Sequence, residues 1–244
     1  MSDLDAVILA GGKGTRLRSV IKDKPKPMAI VSGKPFIEWV LVYLRDQGIK
    51  RVILATGYKR DFFRQYFGDG SELGIEILYS EEVEPMGTGG ATRKAICLAQ
   101  TKDVLVLNGD SFCAVNSERM LKTHWEKNAD GTIWLIENDK GNRFGRVDIS
   151  SNDQVLAFRE KIDGTSTSLI NAGIYIFSCS YMEKFPLGKF ISLEMEIFPD
   201  LIKNKFFSIR GNGPFLDIGT PESFSESEAF IKTLFFDHNT GGLC

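Results

Sequence analysis

The residues best placed to do chemistry form a basic, glycine-rich turn near the N-terminus, Gly11-Gly12-Lys13-Gly14-Thr15-Arg16. The apolar run Ala6–Ala10 before it reads as a buried strand. Glycine lets the backbone turn sharply and leaves its N–H groups open to phosphate oxygens. Lys13 and Arg16 add positive charge beside those donors. A strand emptying into such a turn is a phosphate cradle in outline. Two well-known templates do not fit. A P-loop needs Ser or Thr after its Gly-Lys pair, and Lys13 is followed by Gly14. A dinucleotide fingerprint needs a third glycine where this chain has Leu17.

Other groups come into play further along. Lys26 stands between Pro25 and Pro27, which restrict the backbone from which its ammonium extends. Its neighbours Lys22 and Lys24 are equally basic, so a solvated lysine is the competing explanation. Asp110 follows an apolar strand and the turn former Asn108-Gly109, and Asp217 follows Phe215-Leu216. Each aspartate alone suits a turn or helix cap as well as a metal. The segment Ser80-Glu81-Glu82-Val83-Glu84-Pro85-Met86-Gly87 has three glutamates and no Asn or Gln. An acceptor-only carboxylate complements the N1–H and N2–H₂ donors of guanine. The amino groups of adenine and cytosine stay open, and a plain acidic surface loop accounts for at least one of the three.

Composition narrows the classes. Among 244 residues, 30 basic and 32 acidic side chains give a formal charge of −2, with no electrostatic case for a nucleic-acid or membrane-surface partner. No apolar run reaches the length of a membrane span, and the acidic start Met1-Ser2-Asp3-Leu4-Asp5 is unlike a secretion signal. A cytoplasmic location is expected. Cys97, Cys113, Cys179 and Cys244 form no C-x-x-C pair; core thiols are expected in place of disulfides or zinc ligands, with Cys244 in a Gly-rich tail expected to fray. Two histidines, His124 and His238, leave little room for histidine catalysis or a His-rich metal site.

The elements that must position these groups alternate in the first half. Strands are expected at Ala6–Ala10, Arg51–Ala55, Ile75–Tyr79 and Val104–Leu107. Helices are expected from Pro35 to Gln47, Thr88 to Gln100 and Ser117 to Lys127. Strands separated by helices imply an α/β fold with a mostly parallel sheet covered on both faces. Ligands bind such sheets at the carboxyl ends of the strands, where the glycine turn and Asp110 both lie. The second half reads as short strands at Thr132–Glu137, Arg146–Ile149, Gln154–Phe158 and Asn171–Phe177. Ser150–Asp153 suits a hairpin turn, and Glu222–Phe236 a final helix.

The same stretches resemble the sugar-phosphate nucleotidylyltransferases, the enzymes that make nucleotide sugars. Leu9 to Leu17 matches their L-A-G-G-x-G-T-R-L opening without a gap, and Lys24-Pro25-Lys26-Pro27-Met28 looks like their K-P-M element. Glu84 to Ala91 is similar to the E-P-L-G-T-G-G-A segment of guanylyl-transferring members, among them those acting on heptose or mannose 1-phosphate. Asn108-Gly109-Asp110, Phe144-Gly145, Glu160-Lys161, Asn171-Ala172-Gly173 and Asp217-Ile218-Gly219-Thr220-Pro221-Glu222 follow in the family's order, so the resemblance runs to about Phe236.

The resemblance implies a Rossmann-like, mostly parallel sheet flanked by helices, with a smaller mixed-strand sugar-binding lobe. It implies one domain over 1–237: a nucleotide lobe over about 1–130, a sugar-phosphate lobe over about 131–220, a helix over 221–237, then a tail over 238–244. Some relatives carry a second C-terminal domain, for which this chain is expected to be too short. The implied substrates are GTP and a sugar 1-phosphate, with Mg²⁺, or Mn²⁺ in its place, as cofactor. Arg16 and Lys26 would be catalytic, Arg16 on the departing β- and γ-phosphates and Lys26 on the α-phosphate or the incoming sugar phosphate. Leu9, Ala10, Gly11, Gly12, Lys13, Gly14, Thr15, Glu82, Glu84, Pro85, Gly87, Thr88, Asn108 and Gly109 would hold the nucleotide. Asp110 and Asp217 would bind the metal. Glu160 and Asn171 would bond sugar hydroxyls, Lys161 the sugar's phosphate, and Gly145 and Gly173 would admit the ring. A uridylyl, thymidylyl or cytidylyl transferase and a non-catalytic nucleotide-sugar-binding subunit stay open as alternatives. A homodimer is the base-rate expectation.

Overall fold

The N-terminal apolar run becomes the middle of a nine-stranded sheet in a computed structural model that describes residues 4–12, 14, 17, 23–138, 146–159 and 168–236. Among the described residues the strands are β1 (Asp5–Leu9), β2 (Ile30–Val31), β3 (Lys34–Pro35), β4 (Arg51–Thr56), β5 (Glu76–Glu81), β6 (Asp103–Asn108), β7 (Ser111–Cys113), β8 (Gly131–Asn138), β9 (Arg146–Ile149), β10 (Val155–Arg159), β11 (Ser168–Ser178), β12 (Phe206–Gly211) and β13 (Phe215–Asp217), with β2–β3 and β7–β13 forming two separate pairs. The helices are α1 (Phe36–Asp46), α2 (Asp61–Phe67), α3 (Gly87–Ala95), α4 (Ser117–Glu126), α5 (Cys179–Met182), α6 (Phe198–Ile202) and α7 (Pro221–Phe235). The large sheet runs β10-β9-β11-β6-β1-β4-β5, with β8 pairing β11 and β12 pairing β8.

Four neighbours, β6, β1, β4 and β5, are parallel. Their side chains alternate between two cores. Ala6, Ile8, Val52, Leu54, Leu105 and Leu107 enter one, while Val7, Ile53, Ala55, Val104 and Val106 enter the other. Both faces are therefore buried, which is why these strands read as unbroken apolar runs. α1, α2, α4 and α7 cover the first core, and α3, α5 and α6 the second. In α1 the apolar side chains Phe36, Ile37, Val40, Leu41, Tyr43 and Leu44 are all buried.

The later strands extend this same sheet. β11 runs antiparallel to β6, β8 and β9, so the sheet is mixed beyond its parallel half. β9 and β10 form the expected hairpin through Ser150–Asp153, where Ser150 N–H donates to the Gln154 carbonyl at 2.9 Å. α7 starts at Pro221, one residue before the sequence placed it, under a capping box between Thr220 and Ser223. The expected helix over Thr88–Gln100 stops at Ala95 and tightens into a 3₁₀ turn over Ile96–Leu98. Two strand pairs, β12, α2 and the short helices near residues 179–202 were not foreseen.

The cysteine expectation needs correction: Cys113 is buried, but Cys179 is half-buried and Cys97 exposed. Burial pushes the Cys113 thiol up to about 12. His124 is buried as well, its Nδ1 lying 2.8 Å from the Thr132 hydroxyl and its Nε2 3.4 Å from Asp103 Oδ1. Among the described residues, no helix is long and apolar enough to cross a membrane.

Phe198 anchors the second core. It is fully buried and stacks on Phe158 at 4.8 Å, with Tyr175 and Phe206 at 5.2 and 5.5 Å. Phe198→Ala should cost about 3–5 kcal/mol in urea unfolding. A loss below about 1 kcal/mol would mean that this core collapses around the vacancy.

Candidate active site

The strand order creates the site. From β1 the chain builds outward through β4 to β5, then returns to lay β6 on the other side of β1. Loops leaving β1 and β6 diverge there, and a crevice opens at their carboxyl ends. A cavity of about 830 Å³ fills it. The size is that of a small-molecule or nucleotide pocket. Leu9, Ala10, Gly11, Gly12 and Gly14 line it after β1, and Asn108 and Asp110 after β6. The two loops are tied at their roots, Gly109 N–H donating to the Leu9 carbonyl at 2.9 Å.

Lys26 begins a 3₁₀ turn over Lys26–Met28, so its direction is set by main chain. The ammonium forms a 2.7 Å ion pair with Asp110 Oδ2, with the lysine side chain 10% exposed and the aspartate 39%. The glycine turn closes over this lysine, since a Cβ at Gly14 would lie 3.0 Å from Lys26 Cβ. Asp217 arrives from far along the chain by a three-residue ladder. β13 is antiparallel to β7, which places Asp217 opposite Ser111, and Ile218 N–H donates to the Asp110 carbonyl at 3.0 Å. Asp217 Oδ1 accepts from Gly219 N–H at 2.8 Å. The two aspartates thus stand at adjacent strand ends. Among the described residues there is no cluster of three or more His, Cys, Asp or Glu suited to a metal. Two carboxylates still match Mg²⁺, which completes its shell with phosphate oxygens and water.

Glu82, Glu84, Pro85, Gly87 and Thr88 line the opposite wall. Glu82 Oε2 accepts from Met86 N–H at 2.8 Å. Its other oxygen lies against the glycine turn: a Cβ at Gly11 would sit 2.6 Å from Oε1. Burial raises the Glu82 pKa, while the Met86 N–H and the Lys94 charge oppose that rise. Thr88 stands in the first turn of α3, where its Oγ1 accepts from Leu193 N–H at 2.9 Å.

The expected sugar residues divide. Gly173 has φ +73, and a Cβ there would meet Asn108 Nδ2 at 2.6 Å, so only glycine lets β11 close onto that asparagine. Asn171, expected to bond a sugar hydroxyl, also holds the irregularity in β11. Oδ1 accepts from Gly173 N–H at 2.8 Å, and Nδ2 donates to the Tyr175 hydroxyl at 2.7 Å. Lys13, Thr15, Arg16, Gly145, Glu160 and Lys161 lie outside the described residues.

Several lining residues escaped the sequence: Gly57, Tyr58, Val83, Phe190 and Glu194. Gly57 and Tyr58 directly follow β4, so the strand-end rule would have found them. Phe190 and Glu194 belong to a segment with no strand or helix pattern leading to the site.

The nucleotidyl transferase family matches residues 5–233. A D-glycero-α-D-manno-heptose 1-phosphate guanylyltransferase from Aneurinibacillus thermoaerophilus is 38% identical, across 94% of this chain and 99% of its own length. One of the same description from Campylobacter jejuni is 39% identical, across 91% and 97%. A mannose-1-phosphate guanylyltransferase from Mycobacterium tuberculosis is 38% identical over 93% of this chain, which spans only 64% of that protein. The crystal structure of HddC from Yersinia pseudotuberculosis complexed with GMP-PN superposes with a TM-score of 0.85 at 35% identity, covering 94% of this chain and all of that one.

The raised Glu82 pKa has a consequence for stability. The folded protein holds this proton more tightly than the unfolded chain, so stability is full below the unfolded carboxyl pKa and falls as pH rises toward the folded one. Glu82→Gln removes that loss. In ligand-free thermal melts the variant should gain on the wild type as pH rises above the ordinary glutamate pKa of about 4.3. A stability difference independent of pH would contradict the buried-carboxylate assignment.

Proposed function

The chain belongs to the nucleotidyl transferase family, and on that footing we propose that it transfers a guanylyl group from GTP to D-glycero-α-D-manno-heptose 1-phosphate. The products are GDP-heptose and pyrophosphate, made in the cytoplasm for a bacterial surface polysaccharide. Glu82 carries the choice of base. It is a part-buried carboxylate beside the glycine turn, an acceptor where an amide would suit thymine or uracil. Two relatives of almost the same length, both heptose 1-phosphate guanylyltransferases, support the choice of sugar.

Both reactants are polyanions, so the work is alignment and charge neutralisation. A sugar-phosphate oxygen attacks the α-phosphorus, a new P–O bond forms, and the bond to the bridging oxygen breaks as pyrophosphate leaves. The nucleophile is already anionic, so no strong base is required. The main-chain amides of Gly11–Gly14 would cradle phosphates, Arg16 would hold the departing pair, and Lys26 would neutralise charge on the α-phosphate. Asp110 and Asp217 would hold Mg²⁺, which when bound neutralises phosphate charge. The Lys26–Asp110 pair keeps both groups aligned before substrate arrives.

The Mycobacterium tuberculosis relative favours mannose 1-phosphate as the second reading. Pairing GTP, UTP and dTTP with heptose and mannose 1-phosphates, and following pyrophosphate, tests both. GTP with heptose 1-phosphate should be the fastest pair, and turnover with UTP or dTTP but not GTP would overturn the base assignment. Arg16→Ala and Asp110→Asn should each lower kcat by about 10²–10³-fold, as loss of a transition-state charge partner does. A binding subunit would instead release no pyrophosphate even as wild type.

A further inference from the structure

The run Gly87-Thr88-Gly89-Gly90 opens α3 and lies against a segment of chain between α5 and α6. A Cβ at Gly87 would come within 2.5 Å of the Ile191 carbonyl oxygen, and one at Gly90 within 2.3 Å of the Lys189 carbonyl oxygen. These glycines therefore make room for main chain. That closeness is used. Ile191 N–H donates to the Met86 carbonyl at 2.9 Å, and the Ile191 carbonyl accepts from Gly89 and Gly90 N–H at 2.8 and 3.1 Å. Amides at the start of a helix lack partners within it. Two of them are spent here on the segment.

Thr88 turns its side chain into the same segment. Its Oγ1 accepts from Leu193 N–H at 2.9 Å and donates to Glu194 Oε2 at 3.1 Å. A hydroxyl has one proton to donate, and this one goes to Glu194 and not to a phosphate oxygen. The Ser192 hydroxyl donates to the same Oε2 at 3.0 Å. Two donors on one oxygen hold the carboxylate in one orientation. Among the described residues that line the cavity are Phe190 and Glu194 but not Ser192.

Resting on the guanylyl-transfer reading, we propose that Thr88 is a positioning residue, which clasps the 189–194 segment to the start of α3 and acts on the substrates only through Glu194. Its expected place among the nucleotide contacts gives way to a place behind the wall. The clasp exists before any substrate arrives, so binding does not have to order that side of the cavity.

Thr88→Val keeps the shape of the side chain and removes the hydroxyl, and Thr88→Ser returns it. Hydrogen exchange of the ligand-free chain reads the clasp without turnover. The Leu193 amide should exchange about 10-fold faster in Thr88→Val and at the wild-type rate in Thr88→Ser. Kinetics use whichever triphosphate and sugar 1-phosphate the wild type turns over, so the choice of GTP and heptose is not at stake. KM for at least one of the two should rise about 10-fold in Thr88→Val, with kcat held within about twofold. Ser192→Ala should raise the same KM, because it takes the other donor from Glu194 without touching the cavity lining. In a Glu194→Ala background, Thr88→Val should add less than about twofold, as for two residues that act as one unit. The proposal is overturned if Leu193 exchange does not change, if neither KM moves, or if Thr88→Val keeps its full effect without Glu194, which would make Thr88 itself the contact. Should Thr88→Val not fold, an unchanged KM in Ser192→Ala overturns it as well. A wild type that turns over no pair would sink the guanylyl-transfer reading and leave the exchange rates to decide the clasp.

Discussion

Two negatively charged molecules must be pressed together, and the parallel contact between β1 and β6 makes that possible. It sets the glycine turn and Asp110 at neighbouring strand ends, with Gly109 N–H bound to the Leu9 carbonyl at the root of both loops. Everything else in the site is arranged around this junction. Lys26 comes over it from the Pro-flanked turn, and Asp217 comes under it by the β7–β13 ladder. The apolar alternation that buries β1 and β6 on both faces is thus the scaffold for the polar chemistry at their ends.

The cavity lining is mixed in charge: amide donors and an ammonium, which suit phosphates, share it with Glu82 and Glu194, which suit groups with N–H or O–H donors. Such a pattern selects orientation as well as identity, because reversing either substrate would set phosphate against carboxylate. The 2.7 Å pair between Lys26 and Asp110 belongs to the same logic. Each group satisfies the other, so neither charge stands uncompensated in a partly buried place; on the proposed reading phosphate and a divalent ion would take over as partners.

The parallel strands and α1 were legible because burial on both faces writes continuous apolar runs and burial on one face writes a helical stripe. The hairpin at Ser150–Asp153 was legible from its turn residues. What stayed hidden depends on distant pairing. The β7–β13 ladder is three residues long on each side, too short to carry a period, yet it alone brings Asp217 to Asp110. α2 mixes charged and aromatic residues over seven positions, with Phe63 and Phe67 buried and Phe62 packed against the core. Phe190 and Glu194 reach the cavity through main-chain bonds that any residue could make. Asn171 was singled out by resemblance alone, and its bonds to Gly173 N–H and the Tyr175 hydroxyl, which hold the irregularity in β11, left no mark in the sequence.

The account turns on where the phosphates and the metal sit. Crystals soaked with GTP and Mn²⁺, measured at the manganese absorption edge, would show that directly. An anomalous peak bridged by Asp110 and Asp217, with the triphosphate wrapped by Gly11–Gly14, is the predicted result. A peak away from both aspartates, or a triphosphate lying elsewhere, would contradict it.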